Sequence, residues 1–305
     1  MADTKIEWTD KVWNPVTGCT KVSEGCRNCY AGRLADRFFA KQYPPNANGS
    51  PRKFTDVRCH EDRLEIPLHW RKPQRVFVNS MSDLFHQGVP DEFIDRAFAV
   101  MALCPQHTFQ ILTKRAARIV EYFEEKIFGS RERVAALLLE WKAPGGRWWP
   151  FGGIRALRQS DVNRAAMAAL NKPLPNVWLG VSVENQATAD ERISLLLQTP
   201  AAIRWVSFEP MLGLIDLKPR PQRDMCLLEH PHDGQCLRRG LDWVVCGGES
   251  GPGARPVDPD WVRSLRDQCQ GASVAFFFKQ WGGKKAAGRL LDGREWNEFP
   301  KVGRC

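Results

Sequence analysis

The chain has 305 residues, 43% hydrophobic and 26% charged, with a net charge of +9. This is an ordinary globular balance, long enough for one large α/β domain or two small ones. No apolar run approaches the roughly 20 residues a membrane helix needs, and the opening MADTKIEWTDK lacks the apolar stretch of a secretory signal, so a cytoplasmic location with no membrane contact is expected.

In chain order, the first distinctive segment is WNPVTGCTKVSEGCRNCYAGRLADRF, residues 13–38. An amphipathic helix follows its last cysteine, with Tyr30, Leu34 and Phe38 at helical spacing. Strands are expected at Arg75–Asn79, Thr108–Leu112, Val177–Val183, Ile203–Phe208, Trp243–Cys246 and Val274–Phe278. These runs are short, rich in β-branched and aromatic residues, and mostly lack a period of two, as suits strands buried on both faces of a parallel sheet. Helical patterns lie between them. Asp91–Leu103 puts Phe93, Ile94, Ala97, Phe98 and Met101 on one face, and Thr188–Gln198 carries Ile193, Leu196 and Leu197. Asp258-Pro259 reads as an N-cap with proline at the first helical position. Two insertions break the alternation, at about 130–175 and 214–240. The chain is read as a single α/β domain, either a barrel or a doubly wound sheet.

The ten cysteines lack an export signal beside them, which argues against a disulfide framework. Cys104, Cys246 and Cys269 sit among apolar residues and read as small core hydrophobes. Cys19, Cys26 and Cys29 differ. Their spacing is C-x6-C-x2-C, with Gly18 and Gly25 directly before two of them. Three thiolates from one loop can hold three irons of a [4Fe–4S] cluster and leave the fourth without a protein ligand. Zinc is the competing reading, with a fourth ligand from Cys59, His60 or His69.

Beyond this loop, the blocks WTDKVWNPVTGCTKVSEGCRNCYA, FVNSMSDLFH, ILTKR, NVWLGVSVENQ, RWVSFEPMLG, DWVVCGGESGPGARP and FFFKQWGG cover nearly the whole chain outside the insertions. Together they resemble the phage- and prophage-associated three-cysteine-motif proteins, a family similar to radical S-adenosylmethionine enzymes. The resemblance implies a partial (β/α)6-like TIM barrel of the radical S-adenosylmethionine type with insertions. It implies a [4Fe–4S] cluster on Cys19, Cys26 and Cys29, and S-adenosylmethionine at the open iron. Reductive cleavage to a 5′-deoxyadenosyl radical would follow, with hydrogen abstraction from a substrate and a flavodoxin or ferredoxin as electron donor. The commonest spacing of such enzymes is C-x3-C-x2-C, from which this loop departs. Asn28 replaces the usual aromatic before the third cysteine, leaving Tyr30 as the nearest residue to lie against the adenine.

Residues just after parallel strands face the ligand in such folds. For S-adenosylmethionine they are Ser80, Ser82 and Asp83, Lys114, Ser182 and Glu184, Glu209, and Gly247, Gly248 and Glu249. Acidic groups suit the ribose or ammonium, and Lys114 suits the carboxylate. The alternative for a polar residue in this place is a helix cap. The GGE run resembles one that lies near the methionine amino group in radical enzymes, although here it comes late in the chain.

Cys226, His230, His232 and Cys236 form C-x3-H-x-H-x3-C inside the second insertion, a possible zinc set. The loop GGRWWPFGG, 145–153, offers tryptophans that can stack on bases or plug the barrel. The positive charge and the phage association favour a nucleic-acid base or nucleotide as substrate, such as a modified thymine. Two alternatives are a radical enzyme acting on a peptide or small metabolite, and a zinc-stabilised nucleic-acid-binding protein without catalysis.

Overall fold

The computed structural model describes residues 4–42, 45–124, 129–140, 159–171, 173–217, 240–283 and 288–301. Its centre is one sheet of seven parallel strands: β1 (Lys11–Trp13), β4 (Arg75–Val78), β5 (Thr108–Thr113), β6 (Val177–Val183), β7 (Ile203–Phe208), β8 (Trp243–Gly247) and β9 (Ala275–Gln280). They lie side by side in that order, and the sheet curls into a half-barrel flanked by helices. A separate antiparallel pair, β2 (Val16–Thr17) and β3 (Arg58–Cys59), brackets the segment that carries the three cysteines. The six strands expected from sequence are β4 to β9, with ends shifted by a residue or two. The seventh, β1, is three residues long and too short to show a pattern. Its place is set by pairing with β4, Val12 opposite Phe77.

The helices are α1 (Tyr30–Gln42), α2 (Asp91–Leu103), α3 (Ala116–Glu124), α4 (Ser130–Glu140), α5 (Gln159–Asn171), α6 (Gln186–Leu196) and α7 (Pro259–Gly271). The Asp258 carboxylate caps α7, accepting from the Asp260 amide at 2.9 Å, with Pro259 following as expected. The first insertion contributes α4 and α5, which pack on each other and on α2. Of the second insertion, 218–239 lies outside the described residues, and with it Cys226, His230, His232 and Cys236. The 145–153 loop also lies outside them.

The strands are buried on both faces, yet the two faces carry different residues. Val76, Val78, Ile111, Leu179, Val206, Val244 and Phe276 belong to the core shared with the helices, where Cys104, Cys246 and Cys269 are also buried. The alternate residues Phe77, Trp178, Ile203, Trp205, Trp243, Val245 and Phe277 form a second cluster on the concave side, joined by Trp8. The period of two is present after all. It is hidden because both sets are apolar.

Along the concave set, residue size falls toward the C-terminal strand ends, from Trp178 to Ser182 on β6 and from Trp205 to Ser207 on β7, while Gly180 makes room for the Trp205 ring. The tryptophans close the lower part, and the small residues leave a cavity of about 460 Å³ above them. Residues Lys5 to Trp8, ahead of β1, line this cavity, with Ile6 and Trp8 packed on the aromatic cluster.

Candidate functional site

The cysteine loop lies over the C-terminal strand ends. Cys19, Cys26 and Cys29 are all half-buried and all line the cavity. Local chemistry shapes the loop first. Gly18 has φ +93, and a Cβ there would lie 2.6 Å from the Asp56 carbonyl oxygen, so only glycine fits. Its amide donates to the Met81 carbonyl, and the Cys19 amide to Phe54.

Three strand ends then hold three parts of the loop. At Cys19, the Arg115 guanidinium lies 3.6 Å from Sγ and pairs with the Asp83 carboxylate at 2.9 Å. The same fork reaches the Thr20 carbonyl at 3.0 Å and its hydroxyl at 3.1 Å. At Gly25, the amide donates to Glu184 Oε1 at 3.3 Å. A Cβ on Gly25 would stand 3.0 Å from the Glu184 carboxyl carbon, so the glycine lets the loop descend onto it. At Asn28, the side-chain amide donates to Glu249 Oε2 at 2.9 Å. Arg255 binds both Glu249 oxygens, at 2.7 and 3.0 Å, and reaches Glu24 of the loop at 3.0 Å.

These carboxylates are buried but paired, as burial requires. Burial works to raise the Glu249 pKa, yet the bonds from Arg255 and Asn28 outweigh it and hold the group at about 2. Glu184 is likewise held below its usual value, burial being offset by Lys114, Arg192 and the Gly25 amide. Burial, and behind it the Asp83 carboxylate, push the Cys19 thiol up to about 11 against the pull of Arg115.

The residues expected at the strand ends divide into two groups. Ser80, Ser82, Ser182, Lys114 and Glu209 line the cavity, and so does Tyr30, whose hydroxyl donates to the Ser80 carbonyl at 2.6 Å. Lys114 donates to the Ser182 hydroxyl and lies 3.6 Å from Glu184. Ser82 donates to the Val16 carbonyl at 2.8 Å. Asp83 and Glu249 also border the cavity, but their oxygens are bound by protein groups. Besides Arg115, Asp83 accepts from Thr113 at 2.7 Å and from the Phe85 amide at 3.0 Å. Glu184 is fully buried and acts as a loop anchor. Gly247 and Gly248 lie outside the cavity lining. A Cβ on Gly248 would fall 2.0 Å from the Trp281 carbonyl oxygen, so this glycine serves chain packing. Asn185 caps α6 in a reciprocal pair with Thr188.

Sequence reasoning missed Lys279, which lines the cavity and donates to Glu209 Oε1 at 2.6 Å. Its signal was parity: Lys279 follows Phe277 on the concave side of β9. Arg255 and Asn28 carried no signal of this kind, since their roles depend on a partner far along the chain.

Among the described residues, no three His, Cys, Asp or Glu side chains converge closely enough to hold one metal ion. His60, a candidate fourth zinc ligand, has its Nε2 at 2.7 Å from the Thr17 hydroxyl. Nor is any helix among the described residues long and apolar enough to cross a membrane.

The fold and the site define an α/β half-barrel with a three-cysteine loop fastened over its mouth. The chain belongs to the family described as protein of unknown function (DUF5131), whose model matches residues 3–300. No curated protein and no solved structure matches it.

Proposed function

We propose that this protein is a radical S-adenosylmethionine enzyme, with a [4Fe–4S] cluster on Cys19, Cys26 and Cys29, acting on a nucleic-acid base or nucleotide. The observation that carries this reading is the loop itself. Three thiols border one cavity, at the strand ends where parallel α/β folds put their chemistry. The donor set suits the group. Thiolates are the ligands that hold iron–sulfur clusters, and three of them border this cavity.

Cys19, Cys26 and Cys29 would hold the cluster, which, with S-adenosylmethionine and one electron from an external donor such as a flavodoxin or ferredoxin, would supply reductive carbon–sulfur cleavage and hydrogen abstraction from the substrate. The chain's own groups hold and shield this chemistry. Arg115 donates toward Cys19, and Glu184 and Glu249 fix the loop between the cysteines. Lys114 and Lys279 suit a carboxylate, and Glu209 suits an ammonium or a ribose hydroxyl. Trp8 and Phe77 form an apolar wall of the cavity.

Anaerobic reconstitution tests the reading. The protein is expected to be brown, with roughly four irons per chain and a broad band at about 400 nm. With dithionite it is expected to convert S-adenosylmethionine to 5′-deoxyadenosine, and Cys26→Ala to abolish this conversion. A colourless protein with stoichiometric zinc, or cleavage that survives Cys26→Ala, refutes it.

A further inference from the structure

Helix α1 turns the wrong face outward for a core helix. Ala31 and Ala35 are buried, while Tyr30, Leu34 and Phe38, four residues apart in turn, are 43%, 41% and 40% exposed. Small residues on the inner side let the helix lie close to the body, and Gly32 faces the Phe54 ring. The large apolar residues are left as a stripe about 12 Å long at 1.5 Å per residue. Val22 of the cysteine loop, 46% exposed, adds to it. Scattered exposed hydrophobics need no explanation, but a row leading from a cavity does. This row begins at the cavity: Val22 and Tyr30 both line it.

The charge around the row is mostly positive. Lys21, Arg27 and Arg37 are exposed beside it, and the Arg37 guanidinium lies 5.8 Å from the Phe38 ring centre. Of the two acids of the same segment, Glu24 is paired with Arg255 at 3.0 Å and with Arg27 at 3.5 Å, which leaves Lys21 and Arg37 as the cations facing solvent, and Asp36, at 100° per residue, falls on the side of α1 opposite the stripe. Aromatic rings interleaved with cations form the surface on which single-stranded nucleic acid stacks its bases and lays its phosphates.

We propose that the outer face of α1 is the track for a single-stranded nucleic acid, with one base leaving the strand at Tyr30 to enter the cavity. A base inside a duplex cannot reach a buried reacting atom, so a strand already unpaired, or a base turned out of its stack, is the form this mouth accepts. This deepens the proposed function and rests on it for what happens to the base, but binding along α1 stands or falls by itself.

The test is fluorescence anisotropy of a labelled fifteen-residue oligothymidylate, with the full-length reconstituted protein and with the same protein before reconstitution. Phe38→Ala is expected to weaken binding about tenfold. Arg37→Gln is expected to reduce the dependence of log affinity on log salt by about 0.7. Iron content should be unchanged in both variants, which shows that the loop is intact. The proposal is overturned if wild-type protein ignores the oligonucleotide at low salt, if Phe38→Ala binds as wild type, or if a duplex of equal length binds as tightly and as sensitively to Phe38. It also falls if a purified flavodoxin needs Phe38 while the oligonucleotide does not. Phe38-dependent oligonucleotide binding by a protein that takes up no iron would instead refute the cluster and leave the track standing.

Discussion

The two ends of the half-barrel's concave side are built from the same strands and by opposite means. At the lower end, Trp8, Trp178, Trp205 and Trp243 pack ring against ring, with centroids 5.2–6.1 Å apart, and the space is filled. At the upper end the positions four and two residues further on are Ser182 and Ser207, and space is left. The lower end is held by apolar area and shape. The upper end is held by buried carboxylates, each paired with a cation, Glu184 and Glu249 binding the cysteine loop directly and Asp83 through Arg115. Packing therefore sets the stability of the barrel, and electrostatics sets the geometry of the site.

The sharpest way to break the comparison is at the lower end. Trp243 is fully buried, touches five other aromatic rings and donates to the Glu298 carbonyl at 2.9 Å. Trp243→Ala is expected to cost about 3–5 kcal/mol of folding free energy, read from urea unfolding.

The upper end is expected to fail differently, with acid and locally. Glu249 is held at about 2 against a usual value near 4.5. A depressed carboxylate stabilises fully above its unfolded pKa and loses that contribution as pH falls through its folded one. Protection of the 19–29 amides from hydrogen exchange should therefore weaken between about pH 4.5 and 2. Glu249→Gln should weaken it already at neutral pH, by about 1–3 kcal/mol.

The smallest effect is expected at Arg115, whose fork serves Cys19, Asp83 and Thr20 together. Arg115→Lys keeps the charge but lacks the planar set of donors. Hydrogen bonds to cluster sulfurs are one of the settings of cluster potential. The reconstituted cluster of this variant should have a midpoint more negative by about 30–60 mV, the upper figure being a tenfold change for one electron. Potentiometric titration followed by electron paramagnetic resonance reads it, and an unchanged midpoint would leave Arg115 as a partner of Asp83 and Thr20 only.

Much of the fold was legible because it is written locally. Strands β4 to β9, the cap at Asp258 and the core role of Cys104, Cys246 and Cys269 each follow from a few adjacent residues. Strand β1 was not legible, because three residues carry no period. The strand-end acids were legible by position, and their partners within the protein were not. Glu184, Asp83 and Glu249 look like ligand contacts when the partner is unknown, and their oxygens are bound by protein groups in the fold. The exposed face of α1 looked like any amphipathic face, and which side turns inward depends on what lies beneath it.

The sequence by itself determined the three cysteines of one loop, the alternation of strand and helix, and the proline-led start of α7 at Asp258. All of these are relations between residues close in the chain, readable from covalent spacing. The tertiary structure alone decided what holds the loop. Gly25 meets Glu184 across 159 positions, and Asn28 meets Glu249 across 221. No local pattern encodes such pairs. They exist because the curling sheet brings successive strand ends around one opening, where a buried carboxylate must find a donor and the loop supplies it.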